Sequence, residues 1–137
     1  MANLNAMSLP AVTEKPLVEG TDPWPSTEDA LLVAGVVAGI AKEVYGDRLV
    51  EVWMYGSRAR GDWQAHSDLD LLMLMADEGG PRRRRWTALP ELREKLIERY
   101  EYLTQSMISL YAVLPEQWRS WDTMFFRSVR RNAVRVL

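Results

Sequence analysis

The sequence predicts an α/β (α+β) fold in which a small mixed sheet of three to five strands is covered by helices. Short apolar runs of strand length, Val50–Tyr55, Leu69–Met75 and Met107–Leu114, alternate with longer segments of helical character. A long stretch separates the second run from the third, which suits a crossover connection rather than a tight hairpin. The alternation therefore favours a sheet layered with helices.

The N-terminal part of the chain has its own start and stop signals. Residues 1–25 hold four of the seven prolines and show no periodic pattern, so we expect an irregular N-terminal arm there. A single domain is expected over residues 26–137. Ser26 or Thr27 caps a first helix, which carries acidic residues in its first turn and ends near Tyr45.

Turn residues divide the rest of the chain. Gly61 breaks a short helical piece, and Pro115 both ends a strand and starts a helix. The predicted elements after the first helix are a strand over residues 50–55, a helical piece ending at 60, a strand over 68–75, a helix over about 87–103, a strand over 107–114, a short helix over 115–121 and a last helix over about 123–136.

Composition limits the kind of protein. The chain of 137 residues is long enough for one core, and its formal net charge of −2 gives no general case for binding nucleic acid or an anionic membrane. The absence of cysteine excludes disulfides and thiolate chemistry. The longest apolar run, residues 30–41, is too short to span a bilayer, and the start of the chain lacks a secretory signal. We therefore expect a cytoplasmic protein that does not contact a membrane.

The most informative pattern joins a Gly-Ser turn to two carboxylates. Gly56-Ser57 ends the first strand, and ten residues separate Ser57 from Asp68 in the sequence Asp68-Leu69-Asp70. A glycine lets the backbone approach a ligand, and N–H groups beside a serine hydroxyl suit phosphate oxygens. Because alternate residues of a strand share a face, Asp68 and Asp70 are expected to project together. Two acids beside such a turn can hold hard cations that bridge to a triphosphate.

Two groups of arginines add candidates. Arg58 and Arg60 follow the Gly-Ser turn, where each side chain can contact phosphate oxygens or point into solvent. The run Arg82–Arg85 is most simply a solvated approach to the next helix, and its functional interpretation is contact with RNA or another acidic partner. The candidate nucleotide-binding residues are thus Gly56, Ser57, Arg58 and Arg60, and the candidate catalytic and metal-binding residues are Asp68 and Asp70.

These motifs resemble those of the DNA polymerase β-type nucleotidyltransferase superfamily, and specifically the minimal nucleotidyltransferases of the MNT/HEPN toxin–antitoxin type. The resemblance extends from about Asp29 to the C-terminus. Leu114–Trp118 and Phe125–Arg131 are similar to the closing segments of that family. Both halves of the pattern, the Gly-Ser turn and the Asp-x-Asp pair, occur at the family's spacing, which makes the likeness specific.

The resemblance implies a magnesium-dependent nucleotidyltransferase. Gly56 and Ser57 would hold the β- and γ-phosphates of ATP or another nucleoside triphosphate, and Asp68 and Asp70 would bind Mg²⁺. The implied reaction moves a nucleoside monophosphate, AMP in the case of ATP, to a hydroxyl group of a protein or RNA acceptor. The implied protein partner is a HEPN-family toxin, whose antitoxin this chain would be. RNA and a homo-oligomer remain alternative partners.

One position departs from the family pattern. Active members usually carry a third acid on the strand before a Pro-Glu-x-Trp segment, and counting back from Pro115 places Ser109 there. A serine hydroxyl is a poor base at neutral pH and a poor magnesium ligand beside a carboxylate. Glu51 on the first strand is a weaker substitute, because the sequence does not place it near Asp70. The alternative function is therefore a catalytically degenerate module that binds a nucleotide or a partner.

Overall fold

The computed structural model describes four stretches of the chain, residues 26–63, 67–76, 89–100 and 108–137. The expected N-terminal arm and the basic run Arg82–Arg85 lie outside the described residues, so the arm and the single domain over residues 26–137 remain predictions. Within the described stretches, none of the helices combines the length and apolar character needed to cross a membrane.

Helices and strands alternate as the sequence predicts. In chain order they are α1 (Thr27–Tyr45), a 3₁₀ turn (Gly46–Arg48), β1 (Leu49–Tyr55), α2 (Ser57–Arg60), β2 (Leu69–Met75), α3 (Pro90–Tyr100), β3 (Ile108–Val113), α4 (Pro115–Ser120), α5 (Met124–Asn132) and β4 (Val134–Arg135). The strands form one four-stranded sheet in the order β3-β2-β1-β4. The predicted fold class, a small mixed sheet covered by helices, is confirmed.

The sheet is mixed because β1 and β2 take different partners. β1 runs antiparallel to both β2 and β4, whereas β2 and β3 are parallel. Parallel neighbours cannot be joined by a tight turn, and the chain between β2 and β3 includes α3. β2 is therefore a central strand that is buried on both faces, which explains its nearly continuous apolar sequence.

One face of the sheet packs against α1. Ser26 caps this helix, since its hydroxyl oxygen accepts the N–H of Asp29 at 3.0 Å. α1 is apolar on most of its circumference because it lies between the sheet and α3, whose Leu92 and Leu96 are also buried. From the sheet, this core takes alternate residues of β2, including Leu71 and Met73.

The opposite face of the sheet packs against α5. Leu72 and Leu74 of β2 form a second cluster with Phe126 and Val129 of this helix and with Val113 of β3. Since side chains alternate along a strand, Asp70 shares the face of Leu72 and Leu74 and points toward the α5 layer. The start of β2 thus lies beside α5, because Asp70 shares a cavity with four residues of this helix.

The predicted last helix, residues 123–136, is too long. α5 ends at Asn132, and the chain continues into β4, which pairs with Trp53 and Met54 of β1. The backbone N–H of Val136 also donates to the carbonyl of Val52 at 2.8 Å. A sheet edge exposes unpaired backbone groups, and satisfying those of β1 outweighs the helical pattern here.

The packing of α5 against the sheet can be tested by removing its buried aromatic ring. Phe126 is 2% exposed and stacks edge-to-face with Trp121, with ring centroids 5.3 Å apart. We expect Phe126→Ala to lower the free energy of unfolding by about 3–5 kcal/mol because it leaves a cavity. Urea denaturation measures this loss. On the same helix, Met124 is 86% exposed, so Met124→Ala should change the stability by less than about 0.5 kcal/mol.

Candidate active site

Three side chains from adjacent strands lie in one row across the sheet. Asp70 of β2 pairs with Tyr55 of β1 on one side and with Ser109 of β3 on the other. All three share the face of the sheet that α5 covers, because their neighbours along each strand belong to the α1 core. The register thus places Ser109 directly beside Asp70, at the position where the resemblance leads one to expect a third acid.

The Gly-Ser turn closes tightly over the Asp70 carboxylate. Gly56 has a φ of +75°, and a Cβ at this position would overlap Asp70 Oδ2 and lie 3.1 Å from Asp70 Cγ. Only glycine fits both the backbone angle and the space. α2 begins at Ser57, and the Gly61 N–H donates to the Ser57 carbonyl at 2.9 Å to close this single turn. The turn and the carboxylate are therefore one packed unit.

A cavity of about 300 Å³ opens between this unit and α5. Its lining residues are Tyr55, Gly56, Ser57, Arg60 and Asp70 from the sheet side, and Phe125, Ser128, Val129 and Asn132 from α5. Four predicted site residues, Gly56, Ser57, Arg60 and Asp70, thus meet in one cavity. Its volume falls at the lower end of the roughly 300–1,000 Å³ that small-molecule sites occupy.

Asp70 is destabilised as an anion in this setting. Burial, together with the charge of Asp68, raises the pKa of its carboxyl group to about 6, and the charge of Arg60 opposes this rise. Asp68 itself is exposed, immediately ahead of β2, and does not line the cavity. The two carboxylates are nevertheless close enough for the charge of one to disfavour that of the other.

This pair of carboxylates fits a divalent cation. A cation between them would relieve the repulsion, and carboxylate oxygens are the ligands that Mg²⁺ prefers. Across the described part of the chain, no group of three or more His, Cys, Asp or Glu side chains is arranged to hold a metal. Substrate oxygens or water would therefore complete the coordination, as is usual for magnesium beside phosphates.

The two arginines after the turn have different environments. Arg58 is fully buried; its Nε and Nη2 donate to the Ser67 carbonyl at 3.3 and 3.1 Å, and its guanidinium lies 5.4 Å from the Trp63 ring centroid. It ties α2 to the residue before Asp68 and does not line the cavity. Arg60 is exposed, lines the cavity and forms a 3.3 Å ion pair with Asp62. Arg60 is thus the better placed of the two to contact an anion.

Among the residues that the structure describes, neither Tyr55 nor Glu51 supplies a replacement base beside Ser109. Burial, with the charge of Asp70 and then Tyr111, raises the pKa of Tyr55 to about 12, and a hydrogen bond from Ser109 opposes this rise. Tyr55 is therefore a neutral hydroxyl at physiological pH. Glu51 faces the same side of the sheet but lies opposite Leu74, roughly 13 Å along β1 from Tyr55.

Glu51 is also already engaged. Its Oε2 accepts the indole N–H of Trp53 at 2.8 Å, and its Oε1 lies 3.7 Å from Arg135 Nη2. The substitute considered from the sequence is thus far from Asp70.

Sequence reasoning missed the contribution of α5 to the cavity. Phe125, Ser128, Val129 and Asn132 have the i, i+3, i+4, i+7 spacing of one helix face, which was the available signal. This spacing identifies a helix face but does not reveal which part of the protein that face packs against. Phe125 is 45% exposed, and its ring stands edge-on to Tyr55, with centroids 5.9 Å apart.

The raised pKa of Asp70 predicts that replacing this residue increases the stability of the fold, and that the increase depends on pH. Between about pH 4 and pH 6 the folded state binds this proton more tightly than the unfolded state, so its contribution to stability falls as pH rises through that window. We expect Asp70→Asn to raise Tm by a few degrees at pH 7, without metal or nucleotide, and to have little effect at pH 4. Thermal scans at both pH values measure this. The exposed Asp47 provides the control, since Asp47→Asn should leave Tm nearly unchanged; equal Tm for Asp70→Asn and wild type at pH 7 would contradict the prediction.

Three solved structures resemble this fold. A toxin–antitoxin protein crystallised with AMP-PNP shares 18% identity, with a TM-score of 0.48 over 75% of this chain and 72% of that chain. A Sulfolobus solfataricus protein assigned as a nucleotidyltransferase shares 18% identity, with a TM-score of 0.44 over 86% of this chain and 90% of that one. A mutant of the toxin–antitoxin MntA-HpeT shares 18% identity, with a TM-score of 0.44 over 70% and 66%.

A search of curated proteins found no match. A sequence model of the family described as "Nucleotidyltransferase domain" matches residues 37–116, which is more than half of the chain. The matched region contains the Gly-Ser turn, both candidate metal-binding aspartates and the whole of β3. The chain therefore belongs to the nucleotidyltransferase domain family, which confirms the predicted nucleotidyltransferase at the level of reaction class.

Proposed function

We propose that this nucleotidyltransferase uses Mg²⁺ to move AMP from ATP to a hydroxyl group of a protein or RNA acceptor. The observation that carries the proposal is the packing of Gly56 directly on the Asp70 carboxylate at the wall of a cavity. A triphosphate bound on the turn would have its phosphate oxygens next to a carboxylate that needs a cation. In this proposal the phosphate and metal sites are therefore adjacent.

Each side chain has a distinct task in this proposal. The Ser57 hydroxyl and the backbone at Gly56 face the β- and γ-phosphates, and Arg60 compensates phosphate charge from the exposed side. Asp70, with Asp68, would hold Mg²⁺, which when bound neutralises charge on the pyrophosphate leaving group. Arg58 supports the site indirectly, because it anchors Ser67 and so the approach to both aspartates.

The transfer itself is a displacement at phosphorus. The acceptor oxygen forms a bond to the α-phosphorus while the bond from that phosphorus to the bridging oxygen of pyrophosphate breaks. The proton of the acceptor hydroxyl passes to water or to a phosphate oxygen of the substrate, since neither Ser109 nor Tyr55 is a base at neutral pH. Positioning and electrostatic stabilisation therefore supply most of the acceleration.

The sequence resemblance to minimal nucleotidyltransferases supports a HEPN-family toxin as the acceptor. In that arrangement the chain acts as an antitoxin that modifies its partner. RNA is the second acceptor class, and a homo-oligomer is an alternative assembly. A hydroxyl acceptor of either class would reach the cavity past Arg60, which lines it and is exposed.

Transfer of label from α-labelled ATP tests the proposal. We expect wild type with Mg²⁺ to label a co-expressed HEPN-family protein slowly, and Asp70→Asn to abolish the labelling because the cation loses its half-buried ligand. Protease and ribonuclease treatment of the product assign the acceptor class. Asp47→Asn serves as the matched control and should transfer label like wild type. Labelling that survives both chelation of Mg²⁺ and Asp70→Asn would refute the proposed chemistry.

A binding module of the same fold is the second candidate function, and the position of Ser109 beside Asp70 favours it. A missing third acid would limit catalysis without preventing the chain from holding a nucleotide or a partner. In that case wild type and Asp70→Asn neutralise the partner equally, and neither transfers label.

Restoring the acid separates the two functions. We expect Ser109→Asp to raise the rate of pyrophosphate release with acceptor present, because general-base catalysis is typically worth about 10²–10⁴-fold. Ser109→Ala is the control and should not raise the rate. An unchanged rate in Ser109→Asp, with active wild type, would show that another group already meets this need.

A further inference from the structure

The C-terminal helix contributes to the cavity although it lies outside the matched region of the family. The family match covers residues 37–116, whereas α5 spans Met124–Asn132. Four of its residues nevertheless line the cavity, opposite the Gly-Ser turn and Asp70. The candidate nucleotide site therefore has a wall outside the region that the family model matches.

The pairing of β4 with β1 brings the end of α5 beside the end of β1. Met54 pairs with Val134, and Trp53 pairs with Arg135, in antiparallel register. Asn132, the last residue of α5, lies two residues before Val134, and Gly56 lies two residues after Met54. The N–H of Ala133 donates to the Val129 carbonyl at 2.8 Å, which closes this last turn of α5. Asn132 and Gly56 both line the cavity.

The chemistry of Asn132 suits a phosphate oxygen. Its carboxamide offers two N–H donors, and its Nδ2 lies 3.5 Å from the Ser128 carbonyl, at the outer limit of a hydrogen bond. The last turn of a helix carries partial negative charge, which disfavours an anion, and a donor side chain such as that of Asn132 offsets this effect.

We propose that the Asn132 carboxamide donates a hydrogen bond to the β- or γ-phosphate of the nucleoside triphosphate held on Gly56 and Ser57. Asn132 and Arg60, which both line the cavity, then both contact the phosphate chain. The inference rests on the proposed function, because it assigns the same site a further ligand. It makes the C-terminal helix part of the recognition of triphosphates over monophosphates.

Comparison of ATP with AMP tests this assignment, since AMP lacks the β- and γ-phosphates. Binding of ATP with Mg²⁺ is measured by calorimetry, and binding of AMP by competition with it. We expect Asn132→Ala to weaken ATP binding about tenfold and Asn132→Asp, which has the same shape but is an anion, about a hundredfold. Binding of AMP should change by less than about twofold in both variants, which also shows that they are folded.

The control variant changes the net charge by the same amount as Asn132→Asp, at another position on α5. Arg127 is exposed, pairs with Asp122 and does not line the cavity, so Arg127→Gln should bind ATP like wild type. If both Asn132 variants bind ATP as tightly as wild type, the inference about Asn132 is overturned and the proposed function is not affected. Equal weakening of ATP and AMP would also overturn it, because the contact would then be to the nucleoside. Failure of wild type to bind ATP would remove the proposed function as well.

Discussion

The antiparallel pairing of β1 with β2 is the constraint on which the site depends. Tyr55 pairs with Asp70 at the end of β1, and the chain turns at the next residue, Gly56, so close that a side chain there would strike the carboxylate. The distance between the turn and the acid is thus set by backbone hydrogen bonds rather than by mobile side chains. A site held in this way keeps its geometry before any ligand arrives, which lowers the cost of binding.

The surrounding layers hold a carboxylate that folding alone does not favour. Asp70 is half-buried, and this burial disfavours its anion, whereas the fully buried Arg58 donates two hydrogen bonds to the Ser67 carbonyl. The apolar contacts of β2 with α1 and α5 outweigh the cost of burying Asp70.

Local patterns predicted most of the fold and part of the site. The alternation of apolar runs gave the three long strands, and the Gly-Ser and Asp-x-Asp motifs predicted Gly56, Ser57 and Asp70, which meet at one cavity. β4 and the inward face of α5 could not be predicted, because both depend on partners distant in sequence. Arg58 and Arg60 likewise read alike in the sequence, and only the position of Ser67 separates their roles.

The anchoring of Ser67 by Arg58 also bears on how the chain tolerates insertions and deletions. Arg58 donates two hydrogen bonds to the Ser67 carbonyl and lies against the Trp63 ring, so it contacts both ends of the connection between these residues. Adding residues to that connection raises the entropic cost of closing the loop, which grows slowly with length. Removing one residue from β2 instead inverts every side chain after it and moves Asp70 or its neighbours to the α1 layer. A change of length should therefore disturb the candidate site less in that connection than within β2.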